Sequence, residues 1–412
     1  LARINRRMLD GLRREIEPAT TAEYLRFLLG WQHVRPGTQL AGRAGLAQVV
    51  AQLQGFEIAA GAWEREILPA RVTGYDPAWL DALCLSGEVA WGRLASRESA
   101  SAPSRAAPIA LVQRRDLGWM LCPPKDDVVT GLSAGAQDVL RFLGTAGASF
   151  LDEIIAGAGR LRSEVEDALW ELVSAGRVTG DGFGGLRALI SATQSRGGAR
   201  ARWHARWTRR MGGPIGAGRW ALLRAPARPT ATATTTPADD ATDSEDLHEA
   251  FARQYVKRYG VVFRDVLARE PHAPAWRDLL KVFRRLEMRG ELRGGRLVGG
   301  FIGEQFAAPE AVESLRAVRR LAAKGEAEQT TEQTTKQMTK QMTKTGEIVR
   351  LSACDPLNLV GILTPGPRVP ATLANSVIFR DGVPVSDTLA VQSPGVIFQT
   401  SASAITGMQD EL

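Results

Sequence analysis

LCLSGEV (83–89), LVSAGRV (172–178) and LEMRGEL (286–292) are three copies of one pattern: an apolar helical stripe ending Leu-x-x-x-Gly, then Glu or Arg, then Val or Leu. Each runs into Gly-rich, strand-like sequence: AWGRL (90–94), TGDGFGGLRALI (179–190) and RGGRLVGGF (293–301). A helix that stops at Gly and enters a Gly-turned hairpin is the sequence form of a winged helix. Three copies predict an α+β chain of tandem winged helices, a DNA-binding architecture.

The first copy sits in residues 1–125. RINRRMLDGLRREIE reads as a short basic helix ended by Pro18. Thr20 or Thr21 can cap the next helix, AEYLRFLLGWQHV, with Glu23 in its first turn. GLAQVVAQLQGF, GAWEREILPARV and PAWLDALCLSG continue the helical run, and IALVQR (109–114) returns as a strand.

The second copy, 130–225, repeats the plan. Ser133 caps AGAQDVLRFLGTAG, SFLDEIIAGAG follows, and Ser163-x-x-Glu166 reads as a capping box. Val165, Ala168, Leu169, Leu172 and Val173 fall on one buried stripe. RVTGDGFGGLRALI and RWALL (219–223) are expected as wing strands. Between them lies SRGGARARWHARWTRRMGGP (195–214), where Arg196, Arg200, Arg202, Arg206, Arg209 and Arg210 interleave with Trp203 and Trp207. Arginines neutralise phosphates and tryptophans stack on bases; a solvated wing tip is the plain alternative.

Residues 226–245 are Pro/Thr/Ala-rich and read as a linker. The third copy, 246–322, has helices DLHEAFARQYVKRYG, RDVLARE and APAWRDLLKVFRRLEMRG. In a helix-turn-helix the last of these reads the major groove. Arg277, Lys281, Arg284 and Arg285 lie largely off its apolar stripe, so they are candidate DNA contacts or a solvated face. Residues 323–346 repeat Thr-Lys-Gln-Met and read as a low-complexity linker. In 347–412, EIVRLSA, LVGILT, SVIFRDGVPV and LAVQSPGVIFQT predict a small barrel-like sheet.

Composition narrows the function classes. The net charge is +7, which favours polyanionic partners only modestly. Cys84, Cys122 and Cys354 are far apart, which fits a reducing compartment and offers no disulfide framework. His33, His204, His248 and His272 lack metal-ligand spacing, so no metal site is expected. There is no apolar run long enough to span a membrane and no secretory leader pattern at the first residue. The chain does not begin with Met and reads as a piece of something longer, or a processed product. It has no P-loop, no nucleophile elbow and no HExxH, so any chemistry must come from carboxylates.

Several runs then carry a resemblance: RRMLDGLRREIEPATTAEYLRFLLGWQHVRPG, AWLDALCLSGEVAWGRL, DALWELVSAGRVTGDGFGGLRALI, RYGVVFRDVLARE, GEQFAAPEAVESLR and DPLNLVGILTPGPRVPA. In order and spacing they resemble the C-terminal part of Lhr, the large helicase-related DNA helicases of bacteria, over nearly all of residues 1–383 outside the two linkers. The resemblance implies a cytoplasmic, nucleoid-associated bacterial repair helicase that moves 3′ to 5′. Its ATP- and Mg-dependent motor lies outside this chain, and no cofactor is implied within it. The implied partners are single-stranded or forked DNA, the helicase core of the same protein, and further copies of the chain.

A second similarity is to winged-helix DNA glycosylases, and it implies excision of uracil or damaged bases. Those enzymes carry Gln-x-Gln or Gln-x-Asp before a Trp-containing helix. In QLQGFEIAAGAWERE, Glu57 falls nearest the first motif position, Ala59 takes the second, and Gln52-Leu53-Gln54 matches literally but earlier. Base excision needs a flipped base and a carboxylate facing an oxocarbenium-like sugar. Glu57, Asp355, Asp381 and Asp410 are the candidates. Asp355 before Pro and Asp381 before Gly also suit turns, and Asp410 also suits a solvated tail. The alternative is a DNA-binding and oligomerisation platform without chemistry.

Overall fold

The computed structural model describes residues 18–95, 105–121, 131–195, 218–223, 237–335 and 346–385. Helix α1 (Thr21–Trp31) opens on the Thr20 cap: Thr20 Oγ1 accepts from the Glu23 amide, and the Glu23 carboxylate accepts from the Thr20 amide.

Three units then repeat one topology. The first, unit A, comprises β1 (Leu40–Ala41), α2 (Gly42–Leu53), β2 (Ile58–Ala59) and a π-turn (Trp63–Ile67) leading into α3 (Leu68–Arg71). It continues with β3 (Val72–Thr73), α4 (Pro77–Leu85), β4 (Val89–Gly92), β5 (Pro108–Gln113) and the short α5 (Leu117–Met120). Unit B has α6 (Ala134–Ala146), β6 (Ser149–Phe150), α7 (Leu151–Ala158), α8 (Arg162–Ser174), β7 (Val178–Gly180), α9 (Phe183–Ser195) and β8 (Arg219–Leu222). Unit C has α10 (Pro237–Tyr259), β9 (Val261–Val262), a 3-10 turn (Val266–Arg269), α11 (Trp276–Met288), β10 (Arg293–Gly295), β11 (Gln305–Ala307) and α12 (Pro309–Thr335).

The sheets are ordered β2-β5-β4, β6-β8-β7 and β9-β11-β10, all antiparallel. In each, the strand that returns last sits between the other two.

The repeated heptapeptide is the joint between the third helix and the second strand. Gly87, Gly176 and Gly290 have φ of 77°, 70° and 76°, a backbone that suits glycine. In every copy the Gly amide donates to the carbonyl three residues back (Cys84, Val173, Glu287). The next amide donates to the carbonyl five back (Leu83, Leu172, Leu286). This pair of bonds is the Schellman cap. The Leu that opens the motif is therefore both a core residue and the acceptor that ends the helix.

Several expectations give way to the structure. GLRALI is not a wing strand: Phe183, Leu186 and Leu189 are buried at helical spacing, and the segment forms α9. Helix α8 begins before Ser163-x-x-Glu166. Glu164 takes the Leu161 amide at 2.9 Å, and Glu166 pairs with Arg162 at 3.1 Å. RDVLARE shortens to the 3-10 turn, and α12 runs to Thr335, into the tract read as linker.

The C-terminal residues form β12 (Ile348–Ser352), β13 (Ser376–Arg380) and β14 (Val383–Pro384). Among the described residues this three-stranded antiparallel sheet is open, not closed into a barrel; LAVQSPGVIFQT lies outside them. LVGILT contributes no strand because its backbone turns repeatedly before Pro365.

Two large cores organise the molecule. One joins units A and B, with Leu46, Trp63, Leu83 and Trp91 packed continuously into Val139, Leu169, Phe183 and Trp220. The other joins unit C and the C-terminal sheet, and it also takes in α1 through Tyr24, Phe27 and Leu28. Helix α1 thus packs on α12, although its sequence leads into unit A. Tyr24 donates its hydroxyl to the Val261 carbonyl at 2.7 Å, which fixes that assignment.

Candidate nucleic-acid interface

The three third helices differ in charge. Helix α4 has one acid, Asp81, and no cation. Helix α8 has Arg162 against Glu164, Glu166, Asp167 and Glu171. Helix α11 has Arg277, Lys281, Arg284 and Arg285 against Asp278 and the buried Glu287. Of the three, only α11 can present a cationic face to phosphates. Helix α4 is also covered: Arg187 of α9 binds Asp81 at 3.1 Å and Glu64 at 2.7 Å.

Leu279, Val282, Phe283 and Leu286 bury one side of α11. On the opposite side Arg277, Lys281, Arg284 and Met288 follow one another at helical spacing, with Arg277 85% and Lys281 71% exposed. Asp278 flanks them, 3.1 Å from Lys281 and 3.7 Å from Arg277. The hydrogen bond from Lys281 holds the Asp278 carboxyl below its ordinary value. Arg284 pairs with Glu304 at the base of the wing. Arg285 turns toward α10, where Glu245 and Glu249 hold it at 2.8 and 3.0 Å. The exposed stripe is therefore Arg277, Lys281 and Arg284, with Arg285 serving helix packing. The wing between β10 and β11 adds exposed Arg296 and carries Ile302, 95% exposed. Sequence reading missed these; the signal was RGGRLVGGFI, with Arg296 just after β10 and an apolar residue near the far end of the wing.

The arginine-tryptophan segment, with Arg200, Arg202, Trp203, Arg206, Trp207 and Arg209, lies outside the described residues, as does Asp410. The other carboxylates are scattered. Asp355 is buried and grips Arg71 through two bonds of 2.7 and 2.9 Å. It also accepts the Leu357 amide, so its oxygens are spent on structure. Asp381 has φ of 51° and Gly382 81°, the tight turn joining β13 to β14. Its carboxylate accepts the Glu347 amide at 3.2 Å.

Glu57 differs from both. Its side chain is 8% exposed and ties unit A to unit C: Oε1 accepts the Leu94 amide at 2.7 Å, and Oε2 lies 3.6 Å from His272 Nε2. Burial alone would raise its pKa. The neighbouring His272 ring and the Leu94 hydrogen bond, aided by Arg93, outweigh burial and hold the carboxyl below its ordinary value. Glu57 is thus ionised at neutral pH, as an oxocarbenium-stabilising carboxylate must be. Among the described residues, no group of three or more His, Cys, Asp or Glu side chains could hold a metal ion.

Residues 19–114 match the third winged-helix domain of the large helicase-related protein, and residues 241–327 match the fourth. The chain carries Lhr winged-helix domains. It is 32% identical over 338 residues to the Lhr helicase/probable uracil glycosylase of Mycolicibacterium smegmatis, covering 76% of this chain and 20% of that protein. It is 29% identical over 409 residues to the Lhr helicase/uracil glycosylase of Escherichia coli K12, covering 90% of this chain and 24% of that protein. The chain thus spans about a fifth to a quarter of these Lhr relatives. The first match, to the third Lhr domain, includes α1 and unit A up to the end of β5, and the second covers most of unit C. No helix among the described residues is long and apolar enough to cross a membrane.

Proposed function

We propose that this region binds DNA for an Lhr-type repair helicase, with unit C as the contact surface and units A and B as scaffold. The ATP- and Mg-dependent motor lies elsewhere in the same protein, and the DNA is single-stranded or forked. The observation that carries this reading is the charge contrast among the three third helices, which leaves α11 alone cationic and uncovered. Affinity built on phosphate contacts falls as salt rises, with a slope set by the number of contacts. Replacing Arg277 and Lys281 together by Ala should weaken binding to a forked DNA and shallow the salt slope by about 2, one for each phosphate-binding side chain removed. Unchanged affinity and slope would remove α11 from the DNA path. The alternative platform role, with copies of the chain assembling through these units, predicts no loss of self-association in that variant.

Uracil excision is a second reading, favoured by the ionised, buried Glu57 carboxylate and by the names that both relatives carry. The test is alkali cleavage of end-labelled single-stranded DNA bearing one uracil. A lesion-specific cut lost in Glu57→Gln supports the carboxylate of unit A. A cut lost in Asp410→Asn but kept in Glu57→Gln moves the chemistry to the C-terminal end. No cut, with DNA binding intact, leaves the region a binding module.

A further inference from the structure

A cleft of about 770 Å³ lies where α1, α2, α12 and the end of α10 meet, away from the outer face of α11. That volume is in the range of small-ligand sites, roughly 300–1,000 Å³. Its lining includes Arg26, Arg35 and Lys257, and no carboxylate. Outside the lining residues, Glu347 pairs with Arg35 at 2.8 Å and stands 4.0 Å from Arg26, while Asp381 reaches Arg26 at 3.9 Å. Lys257 makes no ion pair among the described residues. Burial, and then the Arg115 guanidinium, hold its ammonium below its ordinary value against a smaller opposing effect of Asp116. An anion in the cleft would relieve that unfavourable charging.

The rest of the lining suits a base. Trp31 is half-buried there, and its indole N–H is fixed on the Lys257 carbonyl at 3.0 Å. Gln52 donates Nε2 to the Trp31 carbonyl at 2.8 Å and leaves Oε1 buried, without a hydrogen-bond partner among the described residues. A small turn of that amide would offer the acceptor to a ligand N–H. Gln48 and Gln113 add further amides.

One backbone feature points the same way. His33 lines the cleft at φ 61°, in the position after the α1 cap where glycine is usual. Its amide donates to the Gly30 carbonyl and the Val34 amide to that of Leu29, the same cap as the three motif glycines. A histidine in that conformation is strained relative to glycine. Its Nδ1 lies 3.0 Å from the Thr38 carbonyl oxygen, which fixes the ring at the cleft.

We infer that this cleft is a nucleotide site, separate from the α11 face, that seats a phosphate on Arg26, Arg35 and Lys257 and a base against Trp31. It rests on the DNA-binding reading only in taking the nucleotide to be part of a strand. The cleft itself is tested without one.

The experiment is calorimetric titration of the full chain with thymidine 5′-monophosphate, thymidine and inorganic phosphate. The monophosphate should bind more tightly than either fragment, because charge and stacking act together. Lys257→Gln, with no ion pair to lose among the described residues, should weaken monophosphate binding roughly tenfold, and Gln48→Ala should weaken it less. Lys281→Ala on α11 should leave it unchanged. Phosphate binding as tightly as the monophosphate would overturn the base pocket. No monophosphate binding, or binding indifferent to Lys257→Gln in a chain that melts like the parent, would overturn the site altogether. Because α11 takes no part, loss of fork binding in Arg277→Ala/Lys281→Ala with the cleft intact separates the two readings.

Discussion

Unit A has two neighbours and meets them by different means. Against unit B the core of the contact is apolar and aromatic, with the Arg187 ion pairs to Glu64 and Asp81 at its side. Trp91 of β4 meets Trp220 edge-on at 6.0 Å and Phe183 at 6.1 Å, and its indole N–H reaches the Gly182 carbonyl at 3.2 Å. Against α1, unit C and the C-terminal sheet the contact is polar. Buried Arg71 binds Asp355 and the Gln32 side chain; Gln54 binds Gln254 at 3.0 Å; Arg258 reaches the Gln54 carbonyl; Glu57 meets His272. An apolar junction gains from every contact and tolerates small shifts. A buried polar junction holds only in the geometry that satisfies each group. Units A and B therefore form one block, and the rest docks against it in a single register. The cleft described above lies along that docking line.

The sharpest way to break the contrast is Trp91→Ala. Its side chain is fully buried in the core shared by A and B. Truncation should cost about 5 kcal/mol, the upper end for a large aromatic in a packed core. Calorimetry should show units A and B losing stability together. A transition in which only unit A is destabilised would mean that they are not one block.

Arg71→Met should cost less, about 3 kcal/mol, by leaving Asp355 charged in a buried site. The double variant Arg71→Met/Asp355→Leu should recover most of that loss, since an apolar pair of similar volume replaces a buried ion pair with little penalty. The recovered chain tests specificity: if the pair sets the docking register, amide exchange should speed up along α1 and β12 even where stability returns. Exchange unchanged from the parent would reduce the pair to a satisfied but dispensable contact.

The contrast also marks what the sequence could and could not show. The motif glycines were legible because a left-handed cap followed by a strand is written in consecutive residues. The same holds for the Thr20 cap and the Asp381–Gly382 turn. Helix α9 was not legible: Gly184 and Gly185 weaken a helix on their own, and the segment is held by packing on α4 through Arg187. Nor was the placement of α1, whose partners lie more than 200 positions away, as in Tyr24 to Val261. Asp355 read as a turn residue or a catalytic carboxylate because Arg71, its partner, is equally remote. Cationic α11 was visible as composition, but only the ion pairs separate outward Arg277 and Lys281 from inward Arg285. The cleft was invisible because Arg26, Arg35, Gln48 and Lys257 come from segments that only docking brings together.

The smallest effect probes the polar junction by pH. The Glu57 carboxyl is held below its ordinary value in the fold. A carboxyl depressed on folding contributes stability that is fully present above its unfolded pKa, about 4.3 for glutamate, and lost as the pH falls through the lower folded value. Glu57→Gln keeps an acceptor for the Leu94 amide but removes the charge facing His272. It should cost about 1 kcal/mol at neutral pH and make the acid loss of stability shallower. The gap between variant and parent should narrow as the pH falls below about 4.3, the unfolded value, and close once the pH is below the lower folded value, where the parent carboxyl is protonated too. A gap that persists unchanged into acid would mean that Glu57 acts by shape alone. Trp91→Ala, with no titrating group in its contacts, should show a gap independent of pH over the same range.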